Sequence, residues 1–202
     1  MQNCKTTVVI PNYNGMKYIR DCLDSLKTLR EESSFHIIVV DNGSKDGSLE
    51  VISEEYPEVE LIPLSENTGF CHAVNVGIQA GRTPYVLLLN NDTKVLPGFI
   101  VHLEEAMEES ENIFSVNPLM LTMQDENIVD NAGIRYCALG WAYDRGKGNP
   151  KDLRRSERRS SSLPLRQRES DPKERCPLPL LYGDLLSKAV SSYITSPLFY
   201  SR

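Results

Sequence analysis

Two groups of polar side chains stand directly after largely apolar runs, where they could bind a charged ligand. Asp41 follows the run 35–40, and Asn90-Asn91-Asp92 follows the run 85–89. Such runs, bounded by turn-forming residues, are typical of strands buried on both faces of a parallel sheet. Ligands bind at the carboxyl ends of the strands in open sheets of this kind. The sequence therefore predicts a ligand-binding edge that carries both groups.

A nucleotide diphosphate suits this edge chemically. An ionised carboxylate at Asp41 can accept hydrogen bonds from a base or a ribose. Asp92 would repel a diphosphate unless a divalent cation lay between them, and Mg²⁺ or Mn²⁺ is often held by one or two carboxylates and phosphate oxygens. Such a cation would stabilise charge on a departing nucleoside diphosphate. The simpler alternative is that Asp41, Asp46 and Asp92 only form turns or cap helices.

The segments that must position these residues alternate between strand and helix patterns. Strands are predicted at 7–10, 35–40, 59–64, 85–89 and 113–116, and helices at 16–29, 49–56, 70–80 and from Pro97 onward. Shorter strands are predicted within 119–123 and 128–136. This alternation indicates the α/β class, with a Rossmann-like, mostly parallel sheet, right-handed crossovers and flanking helices.

Several other classes of protein lose support. The chain has no Gly-x-Gly-x-x-Gly after the first strand, no Gly-Lys-Ser/Thr phosphate loop and no Gly-x-Ser-x-Gly elbow. Its five cysteines form no Cys-x-x-Cys pair, and its net charge of -6 argues against nucleic acid as a partner. We see neither a signal peptide nor an apolar stretch long enough to span a membrane, so we expect a cytoplasmic protein.

The composition changes near residue 150. Residues 1–150 carry 22 acidic and 11 basic side chains, whereas residues 151–202 carry 6 acidic and 11 basic ones and are rich in Ser and Pro. We therefore predict one domain over 1–150 and an irregular, poorly ordered basic tail over 151–202. Three interpretations of the tail stay open: a disordered segment that touches acidic lipid head groups, a compact extension, or the product of a reading-frame shift near Lys151.

Four motifs, in order and spacing, resemble family 2 glycosyltransferases, and their rhamnosyltransferase-like branch in particular. They are the segments 8–15 (VVIPNYNG), 39–48 (VVDNGSKDGS), 66–70 (ENTGF) and 87–93 (LLLNNDT). The resemblance covers about residues 5–140. It implies a GT-A fold that binds a nucleoside diphosphate sugar donor with a divalent metal and acts on a glycan or lipid-linked acceptor.

The resemblance also implies roles for individual residues. Pro11 and Tyr13 would border the base, Asp41 would contact it, and Asn67 would line the nucleotide-sugar pocket. The segment 90–92 occupies the place of the family's Asp-x-Asp motif, with Asn90 near the ribose and Asp92 as the metal ligand. Asn90 replaces an acidic residue that often stands there, but an Asn oxygen can also bind a metal.

The family's general base lies further along the chain, where it would activate the acceptor hydroxyl for an inverting transfer. Nothing in the tail resembles it, so the catalytic residue is left unassigned. Two hypotheses follow: an inverting, metal-dependent glycosyltransferase, or a truncated, non-catalytic nucleotide-sugar-binding module. A nucleotidyltransferase is a weaker third, because no phosphate loop rich in Gly and basic residues follows the first strand. A lipid-linked acceptor would bring the protein into peripheral contact with the inner face of the membrane.

Overall fold

The computed structural model describes residues 4–136, 141–151 and 198–201. The helices are α1 (Ile19–Thr28), α2 (Ser48–Glu55), α3 (Phe70–Ala80) and α4 (Phe99–Glu108). The strands are β1 (Thr6–Asn12), β2 (Phe35–Asp41), β3 (Glu60–Pro63), β4 (Tyr85–Leu88), β5 (Ser115–Val116), β6 (Met120–Leu121), β7 (Val129–Asn131), β8 (Ile134–Tyr136), β9 (Ala142–Asp144) and β10 (Leu198–Ser201). These residues divide into two compact units, 4–117 with 198–201 and 118–136 with 141–151.

The first unit is built on a six-stranded sheet with the order β3-β2-β1-β4-β10-β5. β3, β2, β1 and β4 are mutually parallel, and β10 runs antiparallel to both β4 and β5. The predicted α/β class and the mostly parallel sheet are thereby confirmed. The chain leaves β1 towards β2 on one side and returns to β4 on the other, so the strand order reverses between β1 and β4. Crevices for ligands form at such a reversal.

Successive side chains of the central strand β1 point to opposite faces of the sheet, and both faces are buried. Val8 and Ile10 belong to a large core beneath α1, α2 and α4. Val9 faces α3 instead, and a Cβ built on Gly77 would lie 2.3 Å from Val9 Cγ1. α3 can therefore approach the sheet this closely only because residue 77 has no side chain.

The apolar face that the sequence spacing gives α1 agrees with the structure, but two predicted helix starts do not. Ile19, Cys22, Leu23 and Leu26 are the buried residues of α1, as their spacing predicts. α1 begins at Ile19, because residues before it form a turn in which the Gly15 carbonyl accepts the N–H of Tyr18 and of Ile19. The prediction that Pro97 is the first residue of α4 was wrong. Gly98 has φ +76 and its N–H donates to Glu32, so α4 begins only at Phe99.

The second unit consists of two short antiparallel pairs. β6 pairs with β7, and β8 pairs with β9. Asn131 Nδ2 donates to Asp144 Oδ1 at 2.9 Å, which links the two pairs. The short strands predicted within 119–123 and 128–136 are confirmed.

Among the helices of the described residues, none has the length and apolar character required to span a bilayer. The predicted tail, apart from residues 151 and 198–201, lies outside the described residues. The prediction that it is poorly ordered therefore stays a prediction.

Candidate functional site

The carboxyl ends of β1, β2 and β4 lie side by side, and main-chain hydrogen bonds hold the loops that follow them. Asn12 is in register with Asp41, and the Asn42 N–H donates to the Asn12 carbonyl at 2.7 Å. On the other side, the Leu89 N–H donates to the Val9 carbonyl at 3.0 Å. The sheet therefore brings the predicted groups at 41 and 90–92 to the same edge, on either side of β1.

Asn12 is the side chain that connects these loops. It is wholly buried, with 0% of its surface exposed. Its Nδ2 lies 2.8 Å from Asp41 Oδ1, 3.0 Å from Ser48 Oγ and 3.3 Å from Ser44 Oγ. Its Oδ1 accepts a hydrogen bond of 2.8 Å from Asn91 Nδ2. One amide thus contacts the ends of β2 and β4 and the start of α2.

Asp41 is buried, with 1% of its surface exposed, and both of its carboxylate oxygens accept hydrogen bonds from the protein. Oδ1 accepts from Asn12 Nδ2 and from Ser44 Oγ at 2.6 Å, and Oδ2 accepts from the Ser44 N–H at 3.0 Å. The side chain therefore fixes the turn after β2. Its contact with a base stays a prediction.

Asp46 joins the loop after β1 to the start of α2. Its Oδ1 accepts from the N–H and the hydroxyl of Ser48, and its Oδ2 accepts from the Met16 N–H at 2.8 Å. Burial alone would raise the pKa of this carboxyl, but the hydrogen bonds from Ser48 and Met16 outweigh it and lower the pKa. This is the helix-start role expected of Asp46.

Asn67 lies in the loop between β3 and α3, which Asn42 holds against the end of β2. Asn42 Nδ2 donates to Asn67 Oδ1 at 3.0 Å, and Asn42 Oδ1 accepts from the N–H and hydroxyl of Thr68. Gly43 packs so closely that an added Cβ would lie 2.7 Å from the Glu66 main chain. Asn67 is exposed. It therefore stands at the predicted edge, positioned by a residue with no predicted role.

In the Asn90-Asn91-Asp92 segment, one side chain bonds with the protein and another is exposed to solvent. Asn91 turns inward to bond with Asn12, while Asp92 is exposed. Among the described residues, the Asp92 carboxylate has no hydrogen bond or ion pair. The Asn90 carbonyl accepts the Cys22 thiol at 3.7 Å. Burial raises the pKa of Cys22 to about 12, and the charge of Asp92 adds to the rise, so this thiol stays protonated.

Pro11 is half-buried at the end of β1, and Tyr13 follows with half of its surface exposed. The loop that carries Tyr13 is fixed by its neighbour Asn14, whose main-chain N–H donates to Ser44 Oγ at 2.9 Å. An exposed aromatic ring held at this edge offers a surface on which a base could stack.

The site could hold a divalent cation only with help from a ligand. In the described part of the chain, no group of three or more His, Cys, Asp or Glu side chains is close enough to hold a metal. Asp92 supplies one carboxylate that the protein leaves free, and neighbouring amide oxygens are further hard donors. That set fits Mg²⁺ or Mn²⁺ when phosphate oxygens and water complete the coordination.

The profile of the family described as glycosyl transferase family 2 matches residues 7–161. The chain belongs to this family. All four motifs and every predicted site residue fall within the matched segment. The family-level prediction is confirmed, and the roles of the individual residues stay predictions.

Curated relatives support the same family over part of their length. A teichoic acid poly(glycerol phosphate) polymerase of Staphylococcus epidermidis is 30% identical over 115 residues, which is 55% of this chain and 16% of the relative. The uncharacterized glycosyltransferase YibD of Escherichia coli is 35% identical over 96 residues, which is 46% of this chain and 27% of the relative. The chain thus covers well under a third of these relatives.

A solved structure supports the fold. The mannosyltransferase PcManGT from Pyrobaculum calidifontis, in complex with GDP-Man and Mn²⁺, matches with a TM-score of 0.51 and 21% identity. The match covers 60% of this chain and 37% of the mannosyltransferase. The predicted GT-A fold is confirmed.

Within this family 2 domain, four residues of the site had received no role from the sequence: Asn12, Gly15, Asn42 and Asn91. Asn12 ends β1, and the other three stand in the Asn- and Gly-rich turns after strands; that composition is the signal that could have identified them. What the turn composition does not reveal is that Asn12 and Asn91, 79 residues apart, are hydrogen-bonded to one another.

Proposed function

We propose that this chain binds a nucleoside diphosphate sugar together with Mg²⁺ or Mn²⁺, and that the domain over 1–150 serves inverting sugar transfer to a glycan or lipid-linked acceptor. The observation that carries the proposal is the arrangement at the carboxyl edge of the sheet. Asp92 is an exposed carboxylate with no partner among the described residues, while the protein satisfies both oxygens of Asp41.

Each residue at the edge is proposed to contact a different part of the donor. Tyr13 and Pro11 form an apolar border for the base, and Asn67 and Asn90 offer amide groups to the sugar nucleotide. Asp92 would hold the cation, which supplies Lewis-acid stabilisation of the diphosphate leaving group when it is bound. Asp41 is proposed at the base, through any lone pair that its internal hydrogen bonds leave available.

The motifs favour a rhamnosyltransferase-like specificity, and hence a deoxysugar carried on dTDP. The mannosyltransferase from Pyrobaculum calidifontis that shares the fold was solved with GDP-Man and Mn²⁺. Three nucleotides, UDP, dTDP and GDP, therefore need to be compared in the presence of Mn²⁺.

The acceptor follows from the family and from one relative. A staphylococcal relative is named as a teichoic acid polymerase, which favours a role in cell-wall or polysaccharide synthesis. Such an acceptor would place the protein in the cytoplasm, at the inner face of the membrane. The basic tail predicted for residues 151–202 would strengthen contact with acidic lipids.

Calorimetric titration tests donor binding directly. We expect one of UDP, dTDP or GDP to bind with an affinity that rises on addition of Mn²⁺. Absence of metal-dependent binding to all three would overturn the proposal. Asp92→Asn should remove the effect of Mn²⁺, whereas Glu58→Gln, an exposed acid away from the edge, should leave it unchanged.

A second function is favoured by the change of composition near residue 150 and by the lack of an assigned general base. The chain would then bind the donor without transferring sugar. The discriminating result is metal-dependent nucleotide binding with both donor hydrolysis and transfer at background. Turnover of a nucleotide sugar by this chain would exclude this second function.

A further inference from the structure

Asn12 lies where a single side chain can connect both halves of the candidate site. β1 is the central strand at which the strand order reverses, and Asn12 is its last residue. The loop after β2 lies on one side and the loop after β4 on the other.

Both the nitrogen and the oxygen of the Asn12 amide are hydrogen-bonded. Nδ2 faces Asp41 Oδ1 and Ser48 Oγ, at 2.8 and 3.0 Å. Oδ1 accepts from Asn91 Nδ2 at 2.8 Å. Because the carboxylate of Asp41 accepts from Nδ2, the amide can present only its oxygen to Asn91, so the direction of the Asn12–Asn91 hydrogen bond is fixed.

Gly15 shows that the loop after β1 is shaped around this hydrogen bond. A Cβ built on Gly15 would lie 2.1 Å from Asn12 Oδ1 and 2.3 Å from Asn91 Nδ2. Any side chain at this position would therefore occupy the same space as the two bonded atoms. This observation is independent of the hydrogen-bond geometry and points to the same contact.

The contact acts next to the residue that would hold the cation. Asn91 precedes Asp92, and the Asp92 carboxylate is exposed and has no hydrogen bond or ion pair within the described residues. Anchoring Asn91 therefore fixes the main chain that aims Asp92 outwards. Pre-organised ligands lose less conformational entropy when they bind.

We propose that Asn12 is a positioning residue that couples the two sides of the site: through Asn91 it holds Asp92 in the geometry required for metal-dependent donor binding. Asn12 itself touches neither donor nor metal. This inference rests on the proposed function, because it assigns the means by which the same site is kept in place.

The first measurement is independent of any ligand. Hydrogen–deuterium exchange of the peptide over residues 89–96 should be faster in Asn91→Ala and in Asn12→Ala than in the unchanged chain. Asn75→Ala, an exposed Asn on α3, is the matched control and should leave exchange there unchanged. Unchanged exchange in a folded Asn91→Ala variant would overturn the inference.

The second measurement separates positioning from a general loss of structure. Titration of UDP, dTDP and GDP with and without Mn²⁺ should show that Asn91→Ala weakens the metal-dependent part of binding about tenfold, the effect of one buried hydrogen bond. Metal-free nucleotide binding should change less than about twofold, well below that effect. Equal loss with and without Mn²⁺ would overturn the coupling.

The double variant Asn12→Ala with Asn91→Ala should be no worse than the more impaired single variant, because both remove the same bond. Additive losses would contradict this.

If Asn12→Ala fails to fold, Asn91→Ala alone carries the test. If the unchanged chain binds none of the three nucleotides, the proposed function fails, while the exchange measurement still decides whether Asn12 anchors the segment.

Discussion

Two aspartates follow two strands of the same sheet, and the protein treats them in opposite ways. Asp41, after β2, is buried and gives both oxygens to hydrogen bonds with its own chain. Asp92, after β4, is exposed and keeps its carboxylate free of such bonds within the described residues. The difference indicates that the Asp41 carboxylate is held by the fold, whereas the Asp92 carboxylate is accessible from solvent.

The largest effect is expected from Asp92→Asn. Loss of the free carboxylate should weaken Mn²⁺-dependent nucleotide binding by at least about 100-fold. Mutation of a residue that only supports a metal ligand costs about 10- to 100-fold, and loss of the ligand itself should cost no less. The midpoint of urea unfolding should not change, because no internal hydrogen bond is lost. Unchanged Mn²⁺-dependent binding in this variant would show that Asp92 does not hold the metal.

Asp41→Asn should act on folding instead. An amide at this position would put a donor against the Ser44 N–H or against Asn12 Nδ2, and loss of hydrogen bonds to a buried charge should lower the free energy of unfolding by about 2 kcal/mol. Urea unfolding measures it, with Asp92→Asn as the control. If stability were unchanged while nucleotide affinity fell, Asp41 would serve the ligand and not the fold.

Gly15→Ala tests the contact that joins the two ends. The added methyl group would displace Asn12 or Asn91, and overpacking of this kind costs about 1.5 kcal/mol. The same urea titration measures it. Gly47→Ala is an informative contrast because an added Cβ meets nothing within 4 Å there, so its cost comes from the φ of +86 alone. A Gly15→Ala variant as stable as the parent chain would mean that the two loops can separate freely.

The smallest effect is expected in the pH dependence of stability, through the carboxyl group of Asp46. Because its hydrogen bonds lower the pKa of Asp46 in the folded chain, the carboxylate contributes stability that is complete above the unfolded pKa of about 4. That contribution is lost as the pH falls through the lower, folded pKa. Asp46→Asn should cost about 1 kcal/mol at neutral pH and progressively less in acid. A constant difference between the variant and the parent chain from pH 7 to pH 2.5 would contradict this.

The elements of the fold could be predicted because their signals are local. The spacing of Ile19, Cys22, Leu23 and Leu26 identified the buried face of α1, and the apolar runs identified β1, β2 and β4. Helix starts were less accurate, since Gly98 in a left-handed conformation overrides the preference of Pro97 for the first turn.

The candidate site was predicted only in part, for a physical reason. Its place at the carboxyl edge follows from strand order, which the alternation of elements implies. The pairing of Asn12 with Asn91 is set by the lateral placement of β1 beside β4, and no short stretch of sequence encodes that placement. The hydrogen bonds to buried Asp41 likewise come from two segments, Asn12 at the end of β1 and Ser44 in the turn after β2.

The sequence separation of 79 between Asn12 and Asn91 has a consequence for how the protein is made. A ribosome releases the chain from its first residue onward, so Asn12 leaves the exit tunnel long before its partner exists. Until β4 has joined β1, the buried amide lacks its Asn91 donor, and closing so long a loop carries an entropic cost that local helices do not face. The site should therefore be among the last features to form, which makes nucleotide binding a sensitive report that the sheet has assembled in the correct order.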